Sequence, residues 1–128
     1  MVKFRKLSEE PGEMETEEGS QSVNSIDIVL KRTDLKGFSS RLLRIAPGGH
    51  TAFHAHAREH AVVVISGRCR VETKEGNTDI RGAMVMHIAP WEGHRFINTG
   101  SEGLALLVMN LFTDEEPKPE EWKKPEGP

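Results

Sequence analysis

Four of the six histidines fall within residues 50–60, HTAFHAHAREH. His54 and His56 are separated by one residue, and on an extended chain that spacing sends both side chains to one face with α-carbons roughly 6.5 Å apart. Two imidazoles so placed can converge on one ion at about 2.1 Å from each nitrogen. His60 follows at an even offset and returns to the same face if the chain stays extended through Ala57-Arg58-Glu59. His94, after the rigid turn Pro90-Trp91-Glu92-Gly93, is the fourth candidate. Such a set binds a divalent transition metal through neutral nitrogen. Neighbouring imidazoles on one face repel once protonated, which argues against a plain surface run. His50 and His87 have no partners at such spacing and read as ordinary polar residues.

The ligand type constrains the chemistry further. Cys69 is the only cysteine, so an intrachain disulfide and a thiolate-rich zinc cage are both excluded. Its alternating surroundings, Arg68-Cys69-Arg70-Val71, place it on an apolar face as a packing residue. Imidazole suits iron, nickel, copper and zinc and accepts manganese, so ligand type alone does not select the metal. Because every ligand must be neutral, affinity is expected to fall as pH drops through about 6. Occupancy that stays flat to about pH 5 would instead implicate Glu59 or Glu92.

The elements that must position these residues read as strands. Strand-type runs fall at 25–31, 39–46, 51–56, 60–66, 69–73, 78–80, 84–88, 94–98 and 104–112, separated by turn signals such as Pro47-Gly48-Gly49, Ser66-Gly67, Glu75-Gly76-Asn77 and Thr99-Gly100-Ser101. No long segment repeats apolar residues at helical spacing, so the class is all-β, a sandwich or barrel. At 128 residues the chain closes one core. Residues 1–24 and the Pro/Glu/Lys-rich tail 114–128 have little to bury and are expected to be extended or mobile, leaving 25–113 as the domain. Trp122 in the tail is a candidate for docking onto the body or a neighbouring subunit.

Composition excludes several partner classes. With a net charge of -3 and basic residues scattered along the chain, there is no stripe for nucleic acid and no polybasic cluster for lipid. The N-terminus is charged where a signal peptide needs an apolar stretch, and no apolar run is long enough to cross a bilayer, so the expected location is the cytoplasm.

These residues resemble the cupin superfamily, small β-barrels with two sequence motifs. The first reads here Gly48, five residues, His54-Ala55-His56, three residues, His60, six residues, Gly67; His60 stands where most of the family has a glutamate. The other motif is resembled by Gly82, seven residues, Pro90, three residues, His94, three residues, Asn98, with two extra residues before the proline and one fewer after it. The resemblance covers residues 38–111 and is nearest to small four-histidine manganese cupins. It implies a jelly-roll β-barrel with one ion inside one end, held by His54, His56, His60 and His94. Manganese or iron is then favoured, with zinc, nickel or copper as alternatives. It also implies a homodimer that shares an N-terminal strand, here 25–31.

Four neutral ligands leave a divalent ion its full +2 charge, which disfavours a trivalent state, attracts chelating oxygen ligands and acidifies bound water. Around it Phe53, Phe96, Trp91, Met84, Met86 and Met109 are available as apolar lining, though methionines read first as core fillers. Arg44 or Arg95 is available to hold a carboxylate, and Asn98 reads as a turn or supporting residue. Tyrosine acid–base chemistry is excluded because the chain has no Tyr. The leading expectation is a metal-dependent oxygenase-type enzyme acting on a small oxygenated organic molecule. A redox-neutral isomerase, hydrolase or lyase is the enzymatic alternative, and a ligand-binding or structural metal domain the non-catalytic one.

Overall fold

A computed structural model of the chain describes residues 2–29 and 37–111. The end of the first expected strand at 30–31, Phe112 and the 114–128 tail with Trp122 lie outside those residues. After a short 3-10 turn, Leu7–Glu9, come nine strands: β1 Glu13–Met14, β2 Gln21–Asp27, β3 Phe38–His50, β4 Glu59–Ser66, β5 Arg68–Thr73, β6 Gly76–Arg81, β7 Val85–Ile88, β8 His94–Asn98 and β9 Leu104–Leu111. They form one antiparallel sheet in the order β6-β5-β8-β3-β9-β4-β7, with β2 on a second edge of β3 and β1 beyond it. The sheet curls into a jelly-roll barrel, and no helix among the described residues is long and apolar enough to cross a membrane.

Strand alternation builds the core. Leu43 and Ile45 of β3, Val62 and Val64 of β4, Cys69 and Val71 of β5, and Leu104, Leu106 and Val108 of β9 all point inward and pack in one cluster. Cys69 is fully buried, and that burial pushes its thiol up to about 12, so it packs as a small hydrophobe.

Two elements differ from the sequence-based expectation. Pro47-Gly48-Gly49 does not end β3 but lies inside it. Val23 pairs with Ile45 and Gln21 with His50, so one residue of β2 faces four of β3, and residues 46–49 bulge outward. Below the bulge β3 pairs with β9, and beyond it His50 meets Ile97 of β8, which makes the bulge the corner where the sheet turns. The expected strand at 51–56 is instead an irregular extended segment, tied to β8 by the Thr51 N–H on the Phe96 carbonyl and by a lone bridge between His54 and His94.

The boundary expected between residues 24 and 25 falls inside β2. Sparse apolar content hid how residues before it attach, which is through polar bonds. Arg44 donates to the carbonyls of Glu10 and Pro11 and to Asn24 Oδ1. Val23, in β2, is 1% exposed. β2 pairs with β3 of its own chain.

Gly67 joins β4 to β5 with φ +96, and a β-carbon there would meet the Gly103 carbonyl at 2.9 Å and Leu104 Cα at 3.0 Å. Gly67→Ala is therefore expected to destabilise the barrel by about 1–3 kcal/mol, read as a lower urea midpoint with unchanged m-value.

Candidate metal centre

The barrel mouth collects the histidines from three places in the chain. His54 and His56 come from the irregular segment, His60 from the start of β4, and His94 from the start of β8. The segment's irregularity is what brings His54 in: its N–H donates to the His94 carbonyl at 3.2 Å, and the His94 N–H donates back at 3.0 Å. The Trp91 N–H donates to the His56 carbonyl at 2.6 Å and fixes the second end.

His54 and His56 pack as a tilted pair, and each meets His94 edge to face. The His54 and His56 centroids are 4.0 Å apart, His54 and His94 5.3 Å, and His56 and His94 5.9 Å. His54, His56 and His94 each offer one ring nitrogen, and these lie within 4.8 Å of one another. Donors side by side on a six-coordinate ion are about 3 Å apart, given bonds near 2.1 Å, so small side-chain rotations close the set. A cluster of three histidines that could hold a metal is thus present. His60 sits in the same wall, its centroid 5.2 Å from His56 and 5.3 Å from His94, but outside that tighter group.

Two of the rings are oriented by their outer nitrogens. His94 Nδ1 lies 2.8 Å from the Glu92 carbonyl, which accepts only from an Nδ1–H, so Nε2 is left as the bare nitrogen. His54 Nδ1 lies 3.1 Å from Glu17 Oε1 and is fixed in the same tautomer. A carboxylate or carbonyl behind a ligating imidazole is the usual arrangement around metals. Sequence spacing gave no sign of Glu17, which reaches the centre from a polar segment far away in the chain.

His60 is 5% exposed, and neither of its ring nitrogens makes a hydrogen bond. Its cross-strand neighbour Asn110 uses its amide on Arg58 and Ser39. An unsatisfied buried nitrogen is unfavourable by about 1–3 kcal/mol, which a metal bond would offset. That, with an all-imidazole donor set, is a fit for a borderline transition metal.

Burial dominates the electrostatics. It holds His56 down to about 2, with the neighbouring His54 and Arg58 adding to the shift. It holds His60 and His94 down to about 4, and for His94 the Glu92 carbonyl pulls the other way. The rings are therefore neutral and ready to ligate well below the pH at which free imidazole protonates.

Other sequence candidates are placed elsewhere. Glu92 accepts the Ala89 N–H, and His87 faces outward from β7. The cavity, of about 50 Å3, is lined by Phe96 but not by Phe53, Trp91, Met84, Met86 or Met109. Phe53 packs over Gly93, Met84 is exposed, and Met86 lies against the core. Arg44 is committed to the N-terminal segment and Arg95 to Glu72. The arginines at the cavity are Arg41 and Arg58. Asn98 donates to the Ile45 and Glu102 carbonyls and accepts the Gly100 N–H, locking the turn before β9.

The family model for the Cupin domain matches residues 41–110, which span every ring of this cluster. The chain belongs to the cupin family. It is 27% identical over 95 residues to 1-methylthio-D-xylulose 5-phosphate methylsulfurylase of Rhodospirillum rubrum, a match that covers 73% of this chain and 60% of that protein. This cupin thus spans about three fifths of that relative's length. Among solved structures it is similar to the polyketide cyclase RemF from Streptomyces resistomycificus, with a TM-score of 0.77 and 19% identity over 91% of this chain and 90% of that one. A cupin-2 domain from Rhodospirillum rubrum superposes with a TM-score of 0.70 and 22% identity, covering 93% of this chain and 78% of the other.

Glu17→Gln keeps size but weakens the acceptor behind His54; metal affinity is expected to fall about 10- to 100-fold, measured by competition with a chromophoric chelator. The pH response follows from the buried rings. Folded His60 and His94 titrate near 4 against about 6.5 in the unfolded chain, so between those values the unfolded state binds more protons. Stability of the metal-free barrel is expected to be full above about pH 6.5 and to fall steadily toward pH 4, as urea melts at several pH values would show. Metal occupancy should likewise persist below the threshold near 6 expected of free imidazoles, so retention at pH 5 no longer points to Glu59 or Glu92.

Proposed function

We propose that this cupin is a mononuclear metal-dependent enzyme acting on a small oxygenated organic molecule, with His54, His56, His60 and His94 as the ligands. The observation that carries the reading is the convergence of His54, His56 and His94, two with their outer nitrogens already engaged, beside a buried His60 whose ring nitrogens make no hydrogen bond. A divalent ion held by neutral ligands retains its full charge and supplies Lewis acidity toward a carbonyl or hydroxyl oxygen.

The chain's own residues set what can enter. A cavity of about 50 Å3 holds an ion and one or two small ligand atoms, not a whole metabolite. Only the oxygen-bearing end of a substrate therefore reaches the histidines, while the remainder stays at the mouth beside Glu15, Glu17 and Arg58. Glu15 and Glu17 are the carboxylates placed to take a proton from a molecule so bound. Val23, Leu43, Phe96 and Val108 floor the cavity with apolar surface, which excludes water and strengthens each polar contact.

A redox-neutral reaction, such as isomerisation or elimination beside a carbonyl, is favoured because the uncharged ligand set disfavours a trivalent ion. The relative named for a phosphorylated ketose is in keeping with a carbonyl substrate. The oxygenase-type reaction is the second reading, since four protein ligands leave two positions on a six-coordinate ion.

Elemental analysis of untagged protein is expected to give about one equivalent of divalent metal, lost in His54→Ala and His94→Ala. Incubation with small ketoses and 2-oxo acids in deuterated buffer, followed by NMR and an oxygen electrode, separates the reactions. Deuterium entering beside the carbonyl without oxygen uptake supports the redox-neutral reading, and stoichiometric oxygen uptake the oxygenase-type one. A protein that takes up no metal even on reconstitution would end both.

A further inference from the structure

Strands β4 and β9 are apolar on both sides over most of their length. Val62 and Val64 of β4 and Leu104, Leu106 and Val108 of β9 point into the core. The residues between them, Ala61, Val63 and Ile65 of β4 and Ala105, Leu107 and Met109 of β9, are apolar as well, and strand alternation points them out of the barrel. An antiparallel sheet with one face in water carries polar residues on that face, whereas strands covered on both sides read as continuous apolar runs.

Strand register lines the outward residues up. Leu42 of β3 pairs with Leu107, Leu107 with Val63, and Val63 with Val85 of β7, so one apolar row crosses four adjacent strands. Met109 and Ala61 pair beside it. On the other side Ala105 leads into a groove of about 580 Å3 that Met14, Ala46 and Gly103 also line. Val85 is 56% exposed and Ile65 53%. Among the described residues β9 contacts chiefly β3 and β4, its own neighbours in the sheet, and no strand packs across its outer side.

We propose that the outer face of β3, β9, β4 and β7, centred on Leu42, Leu107, Val63 and Val85, is a docking surface for a second copy of this chain. Charge and size both favour a copy as the occupant. The central row holds no charged residue, and charge is confined to the rim, at Glu59 beside Leu111 and at Arg44, which is engaged by Asn24 and the Glu10 and Pro11 carbonyls. Two copies related by a twofold axis through the row therefore oppose no like charges, and the patch is its own complement. Four strands about 4.8 Å apart, over the length of β9, span roughly 20 by 25 Å, or on the order of 500 Å2 on each copy. Two such faces reach the roughly 1,000 Å2 that a specific interface needs. A patch of that size is also as large as the biggest one an ordinary monomer leaves in water, about 300–600 Å2. Because β2 is paired with β3 of its own chain, the contact is face to face and not an exchange of strands.

Sedimentation velocity and light scattering of the full chain across the micromolar range test the surface. Wild type is expected at about twice its 14.3 kDa. Leu107→Lys, in the middle of the row, and Val85→Lys, at a site already open to solvent, are expected to weaken association about tenfold or more and shift the population to monomer. Their far-UV circular dichroism is expected to match wild type, and Val85→Lys carries the test should Leu107→Lys not fold. A wild type that stays monomeric at the highest concentration would overturn the proposal, because another part of the chain or a different protein would then cover the face. A dimer that survives the substitutions would overturn it as well, because the copies would then meet elsewhere. Mass is read without reference to the histidines, so the outcome does not depend on the metal centre.

Discussion

Imidazoles inside a barrel must be neutral and must have their protons placed, and the site is organised around that requirement. A charged ring would lose its hydration with no anion to replace it, and burial accordingly depresses the proton affinity of His56, His60 and His94. Neutrality then raises the question of which nitrogen keeps the proton. The Glu92 carbonyl answers it for His94 and Glu17 for His54, each by drawing Nδ1–H outward. The bridge between His54 and His94, the Trp91 bond to His56 and the locked turn at Asn98 all hold backbone in the places that make those bonds possible.

The barrel was legible because its signals are local. Alternation in β5 puts Cys69 and Val71 on one face, β4 and β9 are short apolar runs of strand-forming residues, and glycines at Gly67 and Gly76 sit where the chain turns with positive φ. The histidine spacing was legible for the same reason, since His54 and His56 do lie side by side. Long-range polar contacts were not. Glu17 lies 37 residues from His54, and nothing in its own neighbourhood distinguishes it from the other glutamates of the N-terminal segment. Arg41 and Arg44 show the limit more sharply. The adjacent Leu42-Leu43 pair gives both parities of β3 an apolar residue, so periodicity does not say which arginine turns inward; pairing of β3 with β9 decides it. The bulge at 46–49 likewise reads as a chain reversal until β2 and β8 are seen to continue the strand across it.

Charge explains why the mouth is not simply another apolar layer. The inward rows below it, through Leu43, Val62 and Val108, need no compensation. At the level of His60 the same rows carry Arg41 and Asn110, and Arg58 lines the same cavity. Replacing such buried charged and polar groups by apolar ones of similar volume is often neutral or stabilising, so they are not there for packing. The fold supplies rigidity from its lower layers and leaves its upper layer to chemistry.

The contact between Glu17 and His54 has a consequence for the N-terminal segment. That segment is stitched to β3 through Arg44 and reaches the centre through Glu17. In the proposed metal centre, a bond between the segment and a ligand ring would make the two equilibria, docking of the segment and capture of an ion, heterotropically coupled. Coupling of this kind is reciprocal: by whatever factor the ion steadies the docked segment, the docked segment tightens the ion. A protease that trimmed the segment, or a partner that peeled it away, would thereby loosen the ion without touching a single residue that holds it.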